Sequence, residues 1–183
     1  FKPGMPEAPA DLVPVAFDPS AARDALRAAG YGADRPLRIE ILGAADQPLH
    51  RRILELAQPA FAAAEVQLEP QLIEGGVLIE RLQRRQFMGL LAVKYHADPW
   101  IDPWPHFHSS QAGAGGLNWM GVVDPELDAL LDDARMQHDA ARRADTYRAF
   151  CRRVHALQPV AFLVHPRTAL LLHRRFRDVE VGV

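Results

Sequence analysis

The chain has 183 residues, 49% of them hydrophobic and 24% charged, an ordinary globular balance with enough apolar content to bury a core. Its 21 basic and 23 acidic residues leave a formal net charge of −2, and its Arg-Arg pairs are scattered through helical patterns, which excludes the concentrated basic face of a nucleic-acid binder. No run nears the ~18 apolar residues of a membrane-spanning helix, and Cys151, the single cysteine, rules out an intrachain disulfide and a cysteine-based zinc site.

Residues 1–17 carry Pro3, Pro6, Pro9 and Pro14 without periodicity and read as an extended connector, so that residues 18–183 form a single domain. Asp18-Pro19 supplies an N-cap and a proline at the first helical position, and Gly30 closes the helix, predicted over 19–29. Leu37, Ile39 and Ile41 alternate with Arg38 and Glu40 in a half-buried strand over 37–42. Asp46 is the expected cap of a helix over 48–64, which Pro59 should kink or end early. A second alternating strand covers 66–72, Gly75-Gly76 opens a helix over 76–85, and 87–93 is a buried strand. Residues 94–122 form a long loop holding all three tryptophans, and a connection of that length inside a compact domain is usually either functional or wrongly assigned as a loop. Asp124-Pro125 repeats the Asp-Pro start for a helix over 125–136, and Asp139 caps another over 140–157. Two more strands are expected at 159–164 and 168–172. This order predicts an α/β fold, a mixed sheet flanked by helices.

Catalytic motifs are missing from this pattern. None of the three serines stands in a nucleophile-elbow spacing, and Cys151 falls mid-helix among Tyr147, Phe150 and Val154, as a small core residue does. Asp98 and Asp102 have two readings, an acid/base pair or two turn-forming Asp-Pro steps. Residues 112–116 are glycine-rich but lack the Lys-Ser/Thr of a phosphate cradle. His96, His106 and His108 beside those aspartates suit a metal ion by ligand type, or loop packing and hydrogen bonding. Tyr95, Trp100, Trp104, Phe107 and Trp119 are likewise either a satellite of the core or the wall of a small-molecule pocket.

Six stretches in register carry a resemblance. Phe17-Asp18-Pro19 with Ala29-Gly30-Tyr31, Leu37-Arg38-Ile39, Tyr95-His96-Ala97-Asp98 with Asp102-Pro103, Gly116-Leu117-Asn118-Trp119, Pro125 to Leu131, and Asp139 with Arg142-Arg143 and Tyr147 follow one another over about residues 15–180. Together they resemble the C-terminal lobe of family 5 extracytoplasmic solute-binding proteins, the dipeptide, oligopeptide and nickel-binding group of ABC importers. The resemblance implies one lobe of a type II periplasmic-binding-protein-like fold, a fragment whose missing lobe of the same chain completes the ligand cleft. It also implies solute capture without catalysis, cofactor or resident metal, delivery to an ABC transporter permease, and a periplasmic or otherwise extracytoplasmic location, lipid-anchored or free. Carried over residue by residue, Asp98 pairs with a ligand amino group and Tyr95 lines the pocket, with His96, Trp100, Asn118 and Trp119 beside them. Tyr95 stands where the family has tryptophan, and the loop 43–47 has no arginine to clamp a ligand carboxylate. The solute so implied is a small peptide, an amine-bearing solute or a metal complex. A different class of protein, a ligand-sensing domain of the same fold in a cytoplasmic transcription regulator, is the alternative.

Overall fold

The computed structural model describes residues 1–92, 101–164 and 171–179. It divides into two compact units, residues 13–94 and residues 1–12 with 95–183.

In the unit 13–94, helix α1 (Pro19–Ala28) starts where Asp18 accepts a hydrogen bond from the Ala21 N–H at 2.9 Å, and Pro19 begins the first turn. Strand β1 (Leu37–Ala44), helix α2 (Pro48–Ala63) and strand β2 (Val66–Ile73) form a β-α-β unit. The two strands are parallel, in register from Leu37 opposite Val66 to Ala44 opposite Ile73. Helix α3 (Gly75–Gln83) follows, and the short strand β3 (Gly89–Leu90) pairs in parallel with the other side of β1. The sheet order is therefore β2-β1-β3. Its central strand buries Leu42 completely, against a core that includes Leu54 and Val66.

Close approach explains two glycines. A Cβ on Gly89 would lie 3.1 Å from Ile41 Cγ1 and 3.2 Å from the Glu40 carbonyl, and one on Gly43 would lie 3.3 Å from His50 Cβ. His50 thus packs directly over the end of β1, where its Nδ1 accepts the Ala44 N–H at 2.9 Å. Burial holds the His50 imidazolium below its ordinary pKa, so the ring is kept neutral, as the acceptor role of Nδ1 requires.

Two expectations for this unit need correcting. Helix α2 runs on through Pro59 to Ala63 without ending early. Its N-cap is Gln47, which makes no side-chain cap bond, and Asp46 takes no capping role. The cap of α3 is Glu74, whose carboxylate accepts the Gly76 and Val77 N–H groups at 2.9 and 3.1 Å.

The other unit is built on the hairpin of helices α5 (Pro125–Met136) and α6 (Ala140–Leu157). Asp124 and Asp139 cap them as their positions before the helical patterns predict. Leu127, Leu131, Phe150 and Val154 meet in a buried cluster, each side chain contributing on the order of 1.5–3 kcal/mol of burial. Phe107, from the short helix α4 (Trp104–Phe107), packs edge-on to Phe150 with ring centroids 5.2 Å apart. Residues 1–12, expected as an extended connector, lie along α6. Phe1 meets the Tyr147 ring at 4.9 Å, Arg148 donates to the Pro6 carbonyl, and Arg152 pairs with Asp11 at 2.8 Å.

The α/β class with helices flanking a sheet is what the structure has, and its described ladder is parallel throughout. The segment 159–164 is not a strand. It leaves Phe162 72% exposed, since a strand forms only where a neighbouring ladder accepts it. The expected strand at 168–172 lies mostly outside the described residues.

Candidate ligand-binding site

Because all three strands run the same way, the carboxyl ends of β1, β2 and β3 share one edge of the sheet. Ligands of open α/β sheets bind outside that edge, where the loops leaving the strands gather. Two of its loops are described. Residues 45–47 expose Asp46 and Gln47, and Glu74 caps α3, whose backbone N–H groups hold the carboxyl below the usual carboxylate range. Neither loop carries a basic residue, as the absence of an arginine at 43–47 already indicated. After β3 the chain enters the segment with Tyr95, His96, Asp98 and Trp100, and these four predicted ligand contacts lie outside the described residues.

From residue 101 the chain is described again, in the unit of α5 and α6, and three aspartates fasten the loop to α5. Asp102 accepts the Trp104 N–H at 3.0 Å through one oxygen and the Arg135 guanidinium at 2.6 and 3.1 Å through the other. Asp132 accepts the Trp104 indole N–H at 2.8 Å. Asp128 accepts the Ser109 N–H at 2.8 Å and also its hydroxyl. The Trp104 ring is sandwiched between the His108 imidazole, stacked at 4.5 Å, and the Arg135 guanidinium at 4.0 Å. Trp104 and Phe107 therefore belong to the core satellite, one of the two readings open for them.

Asn118 is completely buried. Its amide nitrogen donates to the carbonyls of Phe107, His108 and Val122 at 3.4, 3.2 and 2.8 Å, and its Oδ1 accepts the Val122 N–H at 3.2 Å. These partners are backbone groups of residues 107–122. Trp119 is half-buried, with its ring edge-on to His106 at 6.3 Å. Leu117, of the same stretch, is 41% exposed.

The catalytic and metal readings gain nothing from this geometry. Asp102 is committed to Arg135 and a backbone turn, while Asp98 lies outside the described residues. His106 Nδ1 lies 3.4 Å from the Leu117 carbonyl oxygen, and His108 Nδ1 is 2.8 Å from the Ser110 hydroxyl. Among the described residues no group of three or more metal-binding side chains comes together. Burial pushes the Cys151 thiol up, away from the thiolate a nucleophile needs.

No family model matches the chain. It is 23% identical over 121 residues to the oligopeptide-binding protein AppA of Bacillus subtilis, a stretch covering 66% of this chain and 22% of that protein. The solved structure of AppA in complex with a nonapeptide superposes with a TM-score of 0.73 at 20% identity, covering 84% of this chain and 33% of that one. The periplasmic binding protein DppA from Helicobacter pylori, in complex with the peptide STSA, has a TM-score of 0.74 at 18% identity over 87% of this chain and 31% of its own. NikZ from Campylobacter jejuni, in complex with Ni(L-His), gives 0.67 at 23% identity over 78% and 31%. The resemblance to family 5 solute-binding proteins is thus borne out by a curated relative and by shared fold. The chain has the fold of one lobe of a periplasmic binding protein, and it spans about a third of the length of these solved chains.

Proposed function

We propose that the chain is the C-terminal lobe of a solute-binding protein that captures a small peptide outside the cytoplasmic membrane and delivers it to an ABC permease. The observation that carries this reading is the parallel sheet edge. It gathers the carboxyl ends of β1, β2 and β3, and β3 feeds directly into the segment with Tyr95, His96, Asp98 and Trp100. The similarity to AppA supports peptide as the solute, since AppA is an oligopeptide-binding protein. Capture proceeds by closure of this lobe and a second lobe around the ligand, with no bond made or broken.

Asp98 is the residue that recognises the solute, its carboxylate pairing with the peptide's amino terminus, and Tyr95, Trp100 and Trp119 supply apolar walls. A carboxylate in a partly dehydrated cleft attracts an ammonium and repels anions. Calorimetry on the full-length protein tests the reading. Peptides with a free amino terminus bind, their N-acetylated forms do not, and Asp98→Asn costs about 2–5 kcal/mol of affinity while the fold is kept. Equal binding of free and acetylated peptides overturns the assignment of Asp98.

A further inference from the structure

The carboxyl end of β1 closes on an imidazole. Alternate residues of a strand turn their N–H and C=O groups to the same neighbour. Towards β2, the Ala45 N–H continues the ladder to the Ile73 carbonyl at 2.8 Å; towards β3, the Leu42 carbonyl accepts the Leu91 N–H at 2.8 Å. Ala44 faces the same way as Leu42, yet its N–H goes to His50 Nδ1 at 2.9 Å. The ring takes a rung that a longer β3 would fill, at the point where the chain leaves that strand. The Ala44 carbonyl is held too, by the Gln47 N–H at 3.2 Å, and the Gln47 carbonyl accepts the His50 N–H at 3.0 Å. His50 thus ties together the corner 44–50, which carries the exposed loop 45–47.

This closure works with one state of the ring only. Nδ1 accepts while it carries no proton; protonated, it would face the Ala44 N–H donor to donor. His50 is 5% exposed, and its Nε2 is buried with no hydrogen-bond partner among the described residues. An imidazolium there would have its charge unsolvated and both ring N–H groups unmet. Three charged residues adjoin the corner. Asp46, in the loop, favours the proton; Arg51, beside His50 on α2, is exposed; Glu74, after Ile73, has its carboxylate engaged in the α3 cap. Gly43 and Ala44 of β1 and Leu72 and Ile73 of β2 bring no charge to it. Burial outweighs Asp46 and lowers the pKa of the ring.

We infer that His50 is an acid-released latch on the carboxyl edge of the sheet: neutral, it holds the corner 44–50, and protonated, it lets the corner go. A group whose pKa is lower in the fold binds fewer protons there than in the unfolded chain. The latch is therefore fully set above about pH 6.5, the ordinary imidazole value, and is lost as the pH falls through the lower folded value. A loosened corner leaves loop 45–47 to be ordered during capture, which weakens binding. That effect on capture rests on the solute-binding reading above; the latch itself does not.

The test uses the full-length protein labelled with ¹⁵N-alanine, the Ala44 resonance being assigned by its loss in Ala44→Gly. Between about pH 7 and about pH 4.5 the wild-type Ala44 line should shift, with a midpoint below the ordinary imidazole value of about 6.5. Over the same range the affinity for tetraalanine should fall roughly three- to tenfold, the scale of one hydrogen bond. His50→Asn keeps an acceptor at the position of Nδ1 but cannot titrate, so its Ala44 line should stay in place and its affinity should vary less with pH. A wild-type Ala44 line that stays put, or one that moves equally in His50→Asn, overturns the latch. The same pH profile of affinity in both proteins overturns its effect on capture. If His50→Asn fails to fold, the wild-type Ala44 line decides alone, by its shift and midpoint. Should tetraalanine bind at no pH, the peptide reading falls, and the Ala44 lines still decide whether His50 is a latch.

Discussion

Asp124 shows how one side chain can serve both a helix end and a pair of helices. Its Oδ1 accepts the Leu127 N–H at 2.9 Å, capping α5, and its other oxygen accepts from Arg153 on α6 at 2.6 Å. The Arg153 guanidinium, with the Leu127 amide second, holds the carboxyl below the usual carboxylate range. A carboxyl depressed in the fold binds fewer protons there than in the unfolded chain. Its stabilisation is therefore complete above about pH 4, the unfolded value, and is lost as the pH falls through the lower folded value. Asp124→Asn keeps a capping oxygen but removes the charge, so its acid unfolding curve should be flatter than the wild type's below about pH 4. Asp124→Ala removes the cap as well and should cost about 1–2 kcal/mol at pH 7 in denaturant unfolding. Identical acid limbs for the wild type and Asp124→Asn would show that Arg153 contributes nothing through charge.

That cap was readable because an N-cap is a local event: Asp before Pro, ahead of a leucine-rich helical pattern, fixes both partners within four residues. Asn118 was not readable in the same way. Its sequence setting, polar among aromatics in a long loop, suits an amide turned toward a ligand and one turned toward its own backbone equally well. Its bonds to the backbone of Phe107, His108 and Val122 depend on residues up to eleven positions away, which no local pattern fixes. The Glu74 cap is hard to read for a related reason, since glutamate is an uncommon cap and Gly75-Gly76 is the local signal for the helix start.

At the scale of elements, local patterns carried over well where a helix or strand buries one face, and poorly where a partner decides. The helices at 125–136 and 140–157 match their apolar spacing residue for residue, because each can be satisfied by the other across a short turn. The apolar run 159–164 has the composition of a strand, yet strands are completed by ladders and none of the described residues supplies one. Pro59 was the opposite case. Proline lacks the N–H that would bond to the Glu55 carbonyl and crowds that turn, so an isolated helix would break there. In α2 the turns on either side are held by packing on the sheet, through residues such as Leu54, and the helix continues to Ala63 at a local cost. Pro59 is exposed, so replacing it opens no cavity. Pro59→Ala should stabilise the protein by about 1–3 kcal/mol, read as a raised Tm with unchanged far-ultraviolet ellipticity. A lowered Tm would mean that the proline ring itself is part of the packing of α2.

For the whole molecule, the decisive quantity is how much of a ligand one lobe can enclose. Small-molecule sites bury most of their ligand's surface, and a sheet edge with its loops offers a wall, not an enclosure. The chain spans about a third of the solved AppA chain, which leaves ample polypeptide in such a relative to build the opposite wall. A peptide bound at about 1 μM carries about −8.2 kcal/mol, and if each wall supplies half, one alone is left with about −4.1 kcal/mol, a millimolar complex. The true deficit is larger, because the translational and rotational cost of association is charged in full to whichever wall remains. The 183-residue chain by itself should therefore fold, with α5 and α6 giving strong helical ellipticity, and yet give no saturable heat with peptides that the full-length protein binds at micromolar concentration. Submicromolar binding by the isolated chain would place the complete site within these residues, and the proposal of a cleft shared with a second lobe would have to be abandoned.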